Sequence, residues 1–313
     1  MNLVRELPEP IAQRVLGRIK FLARLKTYQE SLPQDGRIEK AELQAKADIR
    51  VATYPTVTGE KIVLRLFHNA EEKTLAGLGF PKEAESELKY FLAQTSGLML
   101  LTGPAGSGKT TTIYACLREL ANAGGRHIIT VEDPAEQIIS GIMQTEVKES
   151  LGLDFARAAR HLLRQDPQVL VIGEIRDEET ANIAIRAALT GHLVISTLHA
   201  GSCRGVFERL QILCRDHSAI ASSVELVLNQ RLARRLCAGC QGEGCTVCLD
   251  TGYRGRSPLV EWVRVTAELR RAISGSDLSQ ARPKESLRDH ARKLVQTKMT
   301  REEEIQRILG AAA

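Results

Sequence analysis

The spacing of apolar and polar positions changes along the chain and predicts a small α+β segment at its front. Helical spacing predicts a first helix over residues 11–28. Its apolar positions are Ile11, Val15, Ile19, Leu22 and Leu25. Turn-forming residues at 32–37 follow, and strands are predicted over residues 48–54 and 61–67.

Beyond a predicted linker at residues 70–81, apolar runs and helical periods alternate. The predicted strands are residues 98–102, 127–131, 169–172 and 192–197. The predicted helices beside them are residues 82–95, 110–122, 154–164 and 178–189. Helices are also predicted within residues 284–309, where Thr300–Glu303 matches a capping box. The alternation predicts a mostly parallel sheet covered by helices, with ligands at the carboxyl ends of its strands.

A glycine-rich segment follows the strand at 98–102 and opens the next helix. Its residues are Gly103, Pro104, Ala105, Gly106, Ser107, Gly108, Lys109, Thr110 and Thr111. The pattern G-x-x-x-x-G-K-[ST] between a strand and a helix favours a phosphate-binding loop over an ordinary glycine-rich turn. We expect Lys109 to reach the β and γ phosphates of a nucleotide and Thr110 to supply its hydroxyl to Mg²⁺.

Polar residues also follow three other predicted strands. They are Glu132, Glu174 and His199. Carboxylates beside a phosphate loop suit water activation or Mg²⁺ contact, and a turn or helix cap is the alternative. His199 is either a hydrogen-bonding sensor of the γ-phosphate or a structural residue. Because Gly173 stands where many P-loop enzymes keep the Mg²⁺ aspartate, Glu174 is the remaining carboxylate on the metal side.

The front segment carries an arginine on each of its last three predicted elements, at Arg37, Arg50 and Arg65. An arginine in a strand is usually solvated and points outward. Three convergent arginines, however, can hold a triphosphate through bidentate hydrogen bonds.

Length and composition indicate a globular protein. A chain of 313 residues, 43% hydrophobic and 26% charged, has room for about two domains. The net charge of +5 is typical of an ordinary solvated surface. It also permits weak attraction to acidic lipid or nucleic acid. No apolar run approaches the ~20 residues of a membrane span, and the first residues lack a signal-peptide core, so we expect a cytoplasmic chain.

Four of the seven cysteines are crowded into two C-x-x-C pairs, at Cys237, Cys240, Cys245 and Cys248. In a cytoplasmic nucleotide-binding chain such pairs favour a metal over disulfides. Reduced, metal-free thiols are the alternative.

Several blocks, in chain order, resemble the secretion and pilus-assembly ATPases of type II secretion and type IV pilus systems. The blocks are residues 32–37, 59–65, the phosphate loop, and residues 131–134, 163–167, 173–177 and 190–199. The resemblance implies an α/β fold with a RecA-like P-loop NTPase core at residues 82–313. It also implies a partial α+β N-terminal domain at residues 1–69 and a zinc-knuckle insert at 237–248, where four thiolates hold one structural Zn²⁺.

The resemblance further implies Mg²⁺-dependent ATP hydrolysis by a homohexamer that powers pseudopilus or pilus assembly. Such a motor is cytoplasmic and reaches the inner membrane through a platform protein. Glu132 would polarise the attacking water, Glu174 would support Mg²⁺, and the three arginines would be phosphate sensors or fingers. The residues alone do not choose between Glu132 and Glu174 as the base.

The sequence departs from the family most clearly in two places, with smaller departures at Gln168 and at Gly201–Ser202. The tether between the cysteine pairs, residues 241–244, is much shorter than in most relatives. The chain also begins partway through the family's N-domain, so we expect a reduced paralogue or a fragment, with any missing segment at the front.

Two other functions are left open by the sequence. The first is a nucleotide-binding regulatory subunit that does not turn over. The second is a nucleic-acid-translocating ATPase, which the cysteine pairs and the aromatic content of 4% disfavour.

Overall fold

The computed structural model describes residues 5–43, 49–66 and 72–310. Internal contacts divide the chain into two units, Met1–Glu72 and Lys73–Ala313. Residues 48 and 67, at the ends of two predicted strands, and residues 70–71 of the predicted linker lie outside the described ranges. The two units are considered separately below.

The first unit combines one long helix with an antiparallel sheet. Its elements are α1 (Glu9–Leu22), β1 (Gln34–Ile38), α2 (Lys40–Leu43), β2 (Ile49–Thr56) and β3 (Gly59–Leu66). The strands lie in the order β1-β2-β3. A small core is formed by Leu22, Ala23, Ile38 and Val51.

Two predictions for this unit were wrong. The first helix ends at Leu22 because Arg24 adopts a left-handed backbone, φ 59°, and Leu25 N–H donates to Lys20 O at 2.9 Å. The segment predicted as a turn at 32–37 contains strand β1. Its Gln34 side chain donates to Gln29 O and accepts from Lys26 N–H, both at 2.8 Å, so the chain reverses upstream of the predicted turn.

The second unit contains the large sheet and nine helices among its described residues. Its strands are β4 (Gly97–Thr102), β5 (Ile128–Glu132), β6 (Met143–Glu146), β7 (Val169–Ile175), β8 (Leu193–Leu198), β9 (Val224–Leu236) and β10 (Tyr253–Arg264). Its helices are α3 (Lys82–Leu92), α4 (Lys109–Ala123), α5 (Phe155–Leu162), α6 (Glu178–Leu189), α7 (Cys203–Leu213), α8 (His217–Ser223), α9 (Ala267–Ser274), α10 (Leu287–Gln296) and α11 (Glu302–Leu309).

The seven strands form one sheet in the order β10-β9-β4-β8-β7-β5-β6. All neighbours are parallel except β9 and β10, which form an antiparallel pair. The predicted mostly parallel sheet is therefore confirmed. Strand β4, which precedes the phosphate loop, lies between β8 and β9, so the loop has neighbours on both flanks.

The sheet is buried on both faces, which explains the unbroken apolar runs in its strands. Leu98 and Leu100 of β4 belong to one hydrophobic cluster, whereas Met99 and Leu101 belong to the cluster on the opposite face. The second cluster also contains Leu75 and Leu78, from the described part of the predicted linker. These two residues therefore pack into the core of the second unit.

The C-terminal helices pack on the antiparallel pair. Helix α10 begins with a capping box between Ser286 and Asp289. The capping box predicted at Thr300 was wrong, because α11 starts at Glu302 and the Thr300 hydroxyl instead donates to Arg234 O at 2.9 Å. Within residues 5–43, 49–66 and 72–310, no helix is long and apolar enough to cross a membrane.

Candidate functional site

The glycine-rich loop connects β4 to α4, as the sequence predicts. At its start, the Thr102 hydroxyl donates to Ala200 O and accepts from Ala200 N–H, both at 2.8 Å. These bonds tie the loop to the segment that follows β8. Gly103 has φ 142°, and a Cβ there would lie 2.4 Å from Gln230 O, so the loop backbone lies directly against β9.

The loop has the features of an anion site. Lys109 is half-buried, and its ammonium donates to Gly103 O at 2.8 Å and to Pro104 O at 3.1 Å. Burial lowers the pKa of Lys109, Glu174 opposes that change, and Arg231 adds to it. The Ser107 hydroxyl is buried without a hydrogen-bond partner in the described structure. Thr110 and Thr111 occupy the first turn of α4, where free N–H groups and the helix dipole favour phosphate.

Glu132 ends β5 and is almost completely enclosed, with 8% of its surface exposed. One carboxylate oxygen accepts from the Tyr114 hydroxyl at 2.5 Å. The other accepts from the Thr130 hydroxyl at 2.5 Å and from Gln144 Nε2 at 3.0 Å. Helix α4 and strands β5 and β6 thus fix this carboxylate in one orientation.

Glu174 lies in β7 and is more open, with 18% of its side chain exposed. Its Oε1 is 2.8 Å from His199 Nε2, and its Oε2 accepts from Arg176 Nε at 2.8 Å. Arg176 in turn lies 3.5 Å from Asp133 Oδ2. The structure therefore brings Glu174 and His199, predicted independently, into direct contact. The hydrogen bond to Glu174 raises the pKa of Arg176, which stays charged.

Gly173, which stands where many P-loop enzymes have an aspartate, lies in a crowded part of the structure. A Cβ on Gly173 would lie 3.0 Å from Phe155 Cε1 and 3.2 Å from Val131 O. A carboxylate at this position requires neighbouring groups to move. This supports the prediction that Glu174 is the carboxylate of this strand that faces the loop.

A second flank of the loop was missed by the sequence analysis. A cleft of about 530 Å³ opens between loop residues 104–107 and the ends of β9, β10 and α11. The charged side chains that line it are Arg231, Arg234, Arg256 and Arg307. In the sequence, residues 231–235 form a small basic cluster, and such a cluster is equally typical of an ordinary solvated surface.

Glu304 of α11 holds two of these arginines. Its carboxylate is buried and accepts from Arg234 Nε at 2.8 Å and from Arg307 Nε at 2.7 Å. Burial acts to raise the pKa of Glu304, but the hydrogen bonds from Arg307 and Arg234 outweigh it and bring the pKa to about 2. One carboxylate thus orients two guanidinium groups at the cleft.

The four paired cysteines come together, as the sequence predicts. Their sulfurs all lie within 4.8 Å of one another. Three of the separations are 3.9 Å for Cys237–Cys245, 3.8 Å for Cys240–Cys248 and 3.7 Å for Cys245–Cys248. A tetrahedral Zn²⁺ with sulfur ligands at about 2.3 Å requires sulfur separations of about 3.8 Å. The thiols therefore fit a zinc ion, and the short tether does not prevent this arrangement.

The three arginines of the first unit lie in one row. Arg37 pairs with Arg50 across β1 and β2, and Arg50 pairs with Arg65 across β2 and β3. All three are exposed. They share one face of the sheet, because directly paired residues of neighbouring strands point the same way. Their role as phosphate sensors stays a prediction.

A phosphate loop at the end of a central strand, with carboxylates at neighbouring strand ends, defines a P-loop NTPase with a RecA-like core. The profile of the Type II/IV secretion system protein family matches residues 2–307. The chain belongs to this family.

Two relatives show how much of a longer protein the chain matches. It is 40% identical over 301 residues to the putative type II secretion system protein E of Escherichia coli, which covers 87% of this chain and 61% of that protein. In an alignment of 342 positions it is 38% identical to the type II secretion system ATPase E of Vibrio cholerae, and the alignment covers 98% of this chain and 68% of that protein. The chain thus spans about three fifths to two thirds of these relatives.

Solved structures share the fold. The pilus retraction motor PilT with bound ADP gives a TM-score of 0.71 at 26% identity, covering 89% of this chain and 78% of PilT. The ATPase DotB of Legionella pneumophila gives a TM-score of 0.74 at 20% identity, covering 99% and 86% of the two chains. The second likeness concerns the fold alone.

Proposed function

We propose that this chain hydrolyses ATP with Mg²⁺ and that, as a hexameric ring in the cytoplasm, it powers assembly of a type II secretion pseudopilus or a type IV pilus. The observation that carries this proposal is the convergence of Lys109, Glu174 and His199 at one edge of the sheet. Family membership and the names of the relatives support the secretion role.

In this proposal the loop binds and orients the phosphates. Its N–H groups and Lys109 neutralise phosphate charge, and the partnerless Ser107 hydroxyl gains an acceptor. Thr110 and Glu174 would hold Mg²⁺, which supplies charge neutralisation to the phosphate oxygens when it is bound.

Glu132 and His199 take different parts in the proposed reaction. Glu132, fixed by Tyr114, Thr130 and Gln144, orients the attacking water and accepts its proton. His199, which lies 2.8 Å from Glu174, would sense the terminal phosphate by hydrogen bonding. The four cysteines would hold a structural Zn²⁺, because four thiolates leave no position open for substrate.

The wider assembly also belongs to the proposal. The chain would act as a homohexameric ring, in which Arg37, Arg50 and Arg65 would serve as phosphate sensors or fingers, and a platform protein would hold the ring at the inner membrane. Nucleic acid is not among the proposed partners.

Steady-state ATP hydrolysis with Mg²⁺ by the full chain tests this proposal, with the oligomeric state measured on the same samples. We expect hydrolysis that rises more steeply than the protein concentration, because the ring must assemble. Lys109→Ala should remove both nucleotide binding and hydrolysis, since the loop loses its half-buried cation.

The exposed substitution Lys61→Ala on β3 serves as the matched control and should behave as the wild type. Nucleotide binding without turnover at any concentration contradicts the motor and favours a regulatory subunit. Hydrolysis stimulated only by single-stranded nucleic acid favours the translocase.

A further inference from the structure

Arg231 lies beside the phosphate loop and has no role in the reaction proposed above. It is half-buried on β9. Its Nη1 would be 3.2 Å from a Cβ placed on Gly103, the first glycine of the loop. Its Nη2 donates to Gly201 O at 3.3 Å, and Gly201 follows His199 by two residues. The guanidinium therefore lies between the start of the loop and the segment after β8.

The orientation of Arg231 is fixed by a buried network. Arg231 Nη1 donates to Asn229 Oδ1 at 2.6 Å and to Gln230 O at 3.0 Å. Asn229 Nδ2 donates to Glu261 Oε1 at 2.9 Å, and both Asn229 and Glu261 are buried. Because a carboxylate only accepts, Glu261 takes the NH₂ side of the Asn229 amide and leaves its oxygen facing Arg231.

Glu261 is itself held by two helices. It accepts from the backbone N–H of Cys203 at 3.3 Å and from that of Leu287 at 3.2 Å. These residues begin α7 and α10, where free N–H groups and the helix dipole favour a carboxylate. The support of Arg231 is therefore preorganised from the core outward.

The contacts leave part of the Arg231 fork available. Its Nε–H and one Nη2 hydrogen have no partner in the described structure, and a guanidinium can use such a pair for one phosphate. Arg231 is also a second cation, and its charge lowers the pKa of Lys109. Two like charges in a half-buried site repel each other, and a bound anion between them offsets that repulsion. Burial lowers the pKa of Arg231, in line with a charge that lacks full solvation.

We propose that Arg231 binds the terminal phosphate of a nucleoside triphosphate and so distinguishes triphosphate from diphosphate at the loop. The terminal phosphate is the proposed partner, because Arg231 contacts Gly201, two residues after His199, and His199 contacts Glu174, the carboxylate that the proposed function assigns to Mg²⁺. This inference rests on the proposed function, since it requires a nucleotide in the loop.

The test measures binding of ADP and of a non-hydrolysable ATP analogue, both with Mg²⁺, to the full chain. Arg231→Gln should weaken binding of the analogue by about tenfold or more and binding of ADP by less than about threefold. Arg231→Lys keeps the charge without the fork and should lie between. Arg271→Gln on α9, where Arg271 is 78% exposed, is the matched control and should bind both ligands as the wild type does.

The outcomes separate this inference from the proposed function. Equal weakening for both ligands, or none, overturns the role of Arg231, provided that the wild type binds and Lys109→Ala does not. Wild-type chain that binds neither ligand overturns the proposed function as well. If Arg231→Gln does not fold, Arg231→Lys decides, because an unchanged preference for the triphosphate analogue in that variant contradicts the fork-based contact.

Discussion

The two flanks of the phosphate loop carry opposite charge and are built differently. On the side of β8, β7 and β5, the candidate functional groups are Glu132, Glu174 and His199 at the ends of parallel strands. On the side of β9 and β10, Arg231, Arg234, Arg256 and Arg307 line a cleft. The acidic flank suits the management of water and Mg²⁺, and the basic flank suits the phosphate charge.

The flanks also differ in how their side chains are held. Parallel strands place the acidic residues directly, because all their carboxyl ends meet at one edge. The arginines instead depend on the antiparallel pair, on the carboxylate of Glu304 and on the Asn229–Glu261 network. The basic flank therefore depends on helices α10 and α11, which lie far along the chain from the loop.

The largest effect should come from the acidic flank. Glu174→Gln and Glu132→Gln should each lower ATP hydrolysis by about a hundredfold or more, because in the proposed reaction each removes a charge that acts on Mg²⁺ or on water. Nucleotide binding should change only a few-fold. Turnover and nucleotide affinity, measured on the same samples, check this expectation.

Glu146→Gln is the control for these two variants, since Glu146 is an exposed carboxylate at the end of the neighbouring strand β6. Normal turnover by Glu132→Gln means that Glu132 serves only as a hydrogen-bond acceptor for Tyr114, Thr130 and Gln144. The acidic flank then reduces to Glu174 and its partners.

An intermediate effect should follow from removal of metal at the cysteine cluster. Leu236 N–H donates to Met299 O at 2.9 Å, and Arg301 Nη2 donates to Gly242 O at 2.9 Å, so the cluster supports the segment that leads into α11. Cys245→Ser should abolish the proposed zinc binding and lower Tm by about 5 °C or more. Zinc content per chain and thermal unfolding check this.

The buried Cys214 lies outside the cluster, so Cys214→Ala should leave the zinc content unchanged. A wild-type chain without zinc, or a Cys245→Ser variant with unchanged Tm, means that the cluster does not support the basic flank through a metal.

The smallest effect should come from Glu304. Its folded-state pKa of about 2 lies below the ordinary value of 4.5, so its contribution to stability is present above pH 4.5 and is lost as the pH falls toward 2. Glu304→Gln should destabilise the chain by about 1–2 kcal/mol at pH 7, since both partner arginines are about half exposed. Urea unfolding from pH 7 down to pH 3 should show this difference shrinking.

For comparison, Glu285→Gln removes a surface carboxylate that pairs with Lys293, and it should change stability by less than about 0.5 kcal/mol. If the difference in unfolding free energy between the wild type and Glu304→Gln does not shrink as the pH falls, the charge of Glu304 is not what holds the arginines.

The local sequence pattern was sufficient to predict the elements that carry the acidic flank of the site. The loop, the strands that carry Glu132 and Glu174, and the cysteine pairs depend on short-range spacing, and the structure places each as predicted. Local pattern failed where a distant contact outweighed it. The side chain of Gln34 bonds to the segment before it, and the predicted turn is a strand. The Thr300 hydroxyl, which a capping box requires, donates to Arg234 O instead.

The sequence by itself determined the individual strands of the parallel core, the phosphate loop and the cluster of four cysteines, because each of these depends on residues that are close together in the chain. Only the tertiary structure decided which side chains meet at the loop. Glu304 lies 70 residues from Arg234, and Glu261 lies 32 residues from Asn229, and each pair forms only when the helices and the antiparallel strands have packed. No spacing rule connects such positions, since the packing of α11 on β9 sets the first contact and the register of β9 and β10 sets the second.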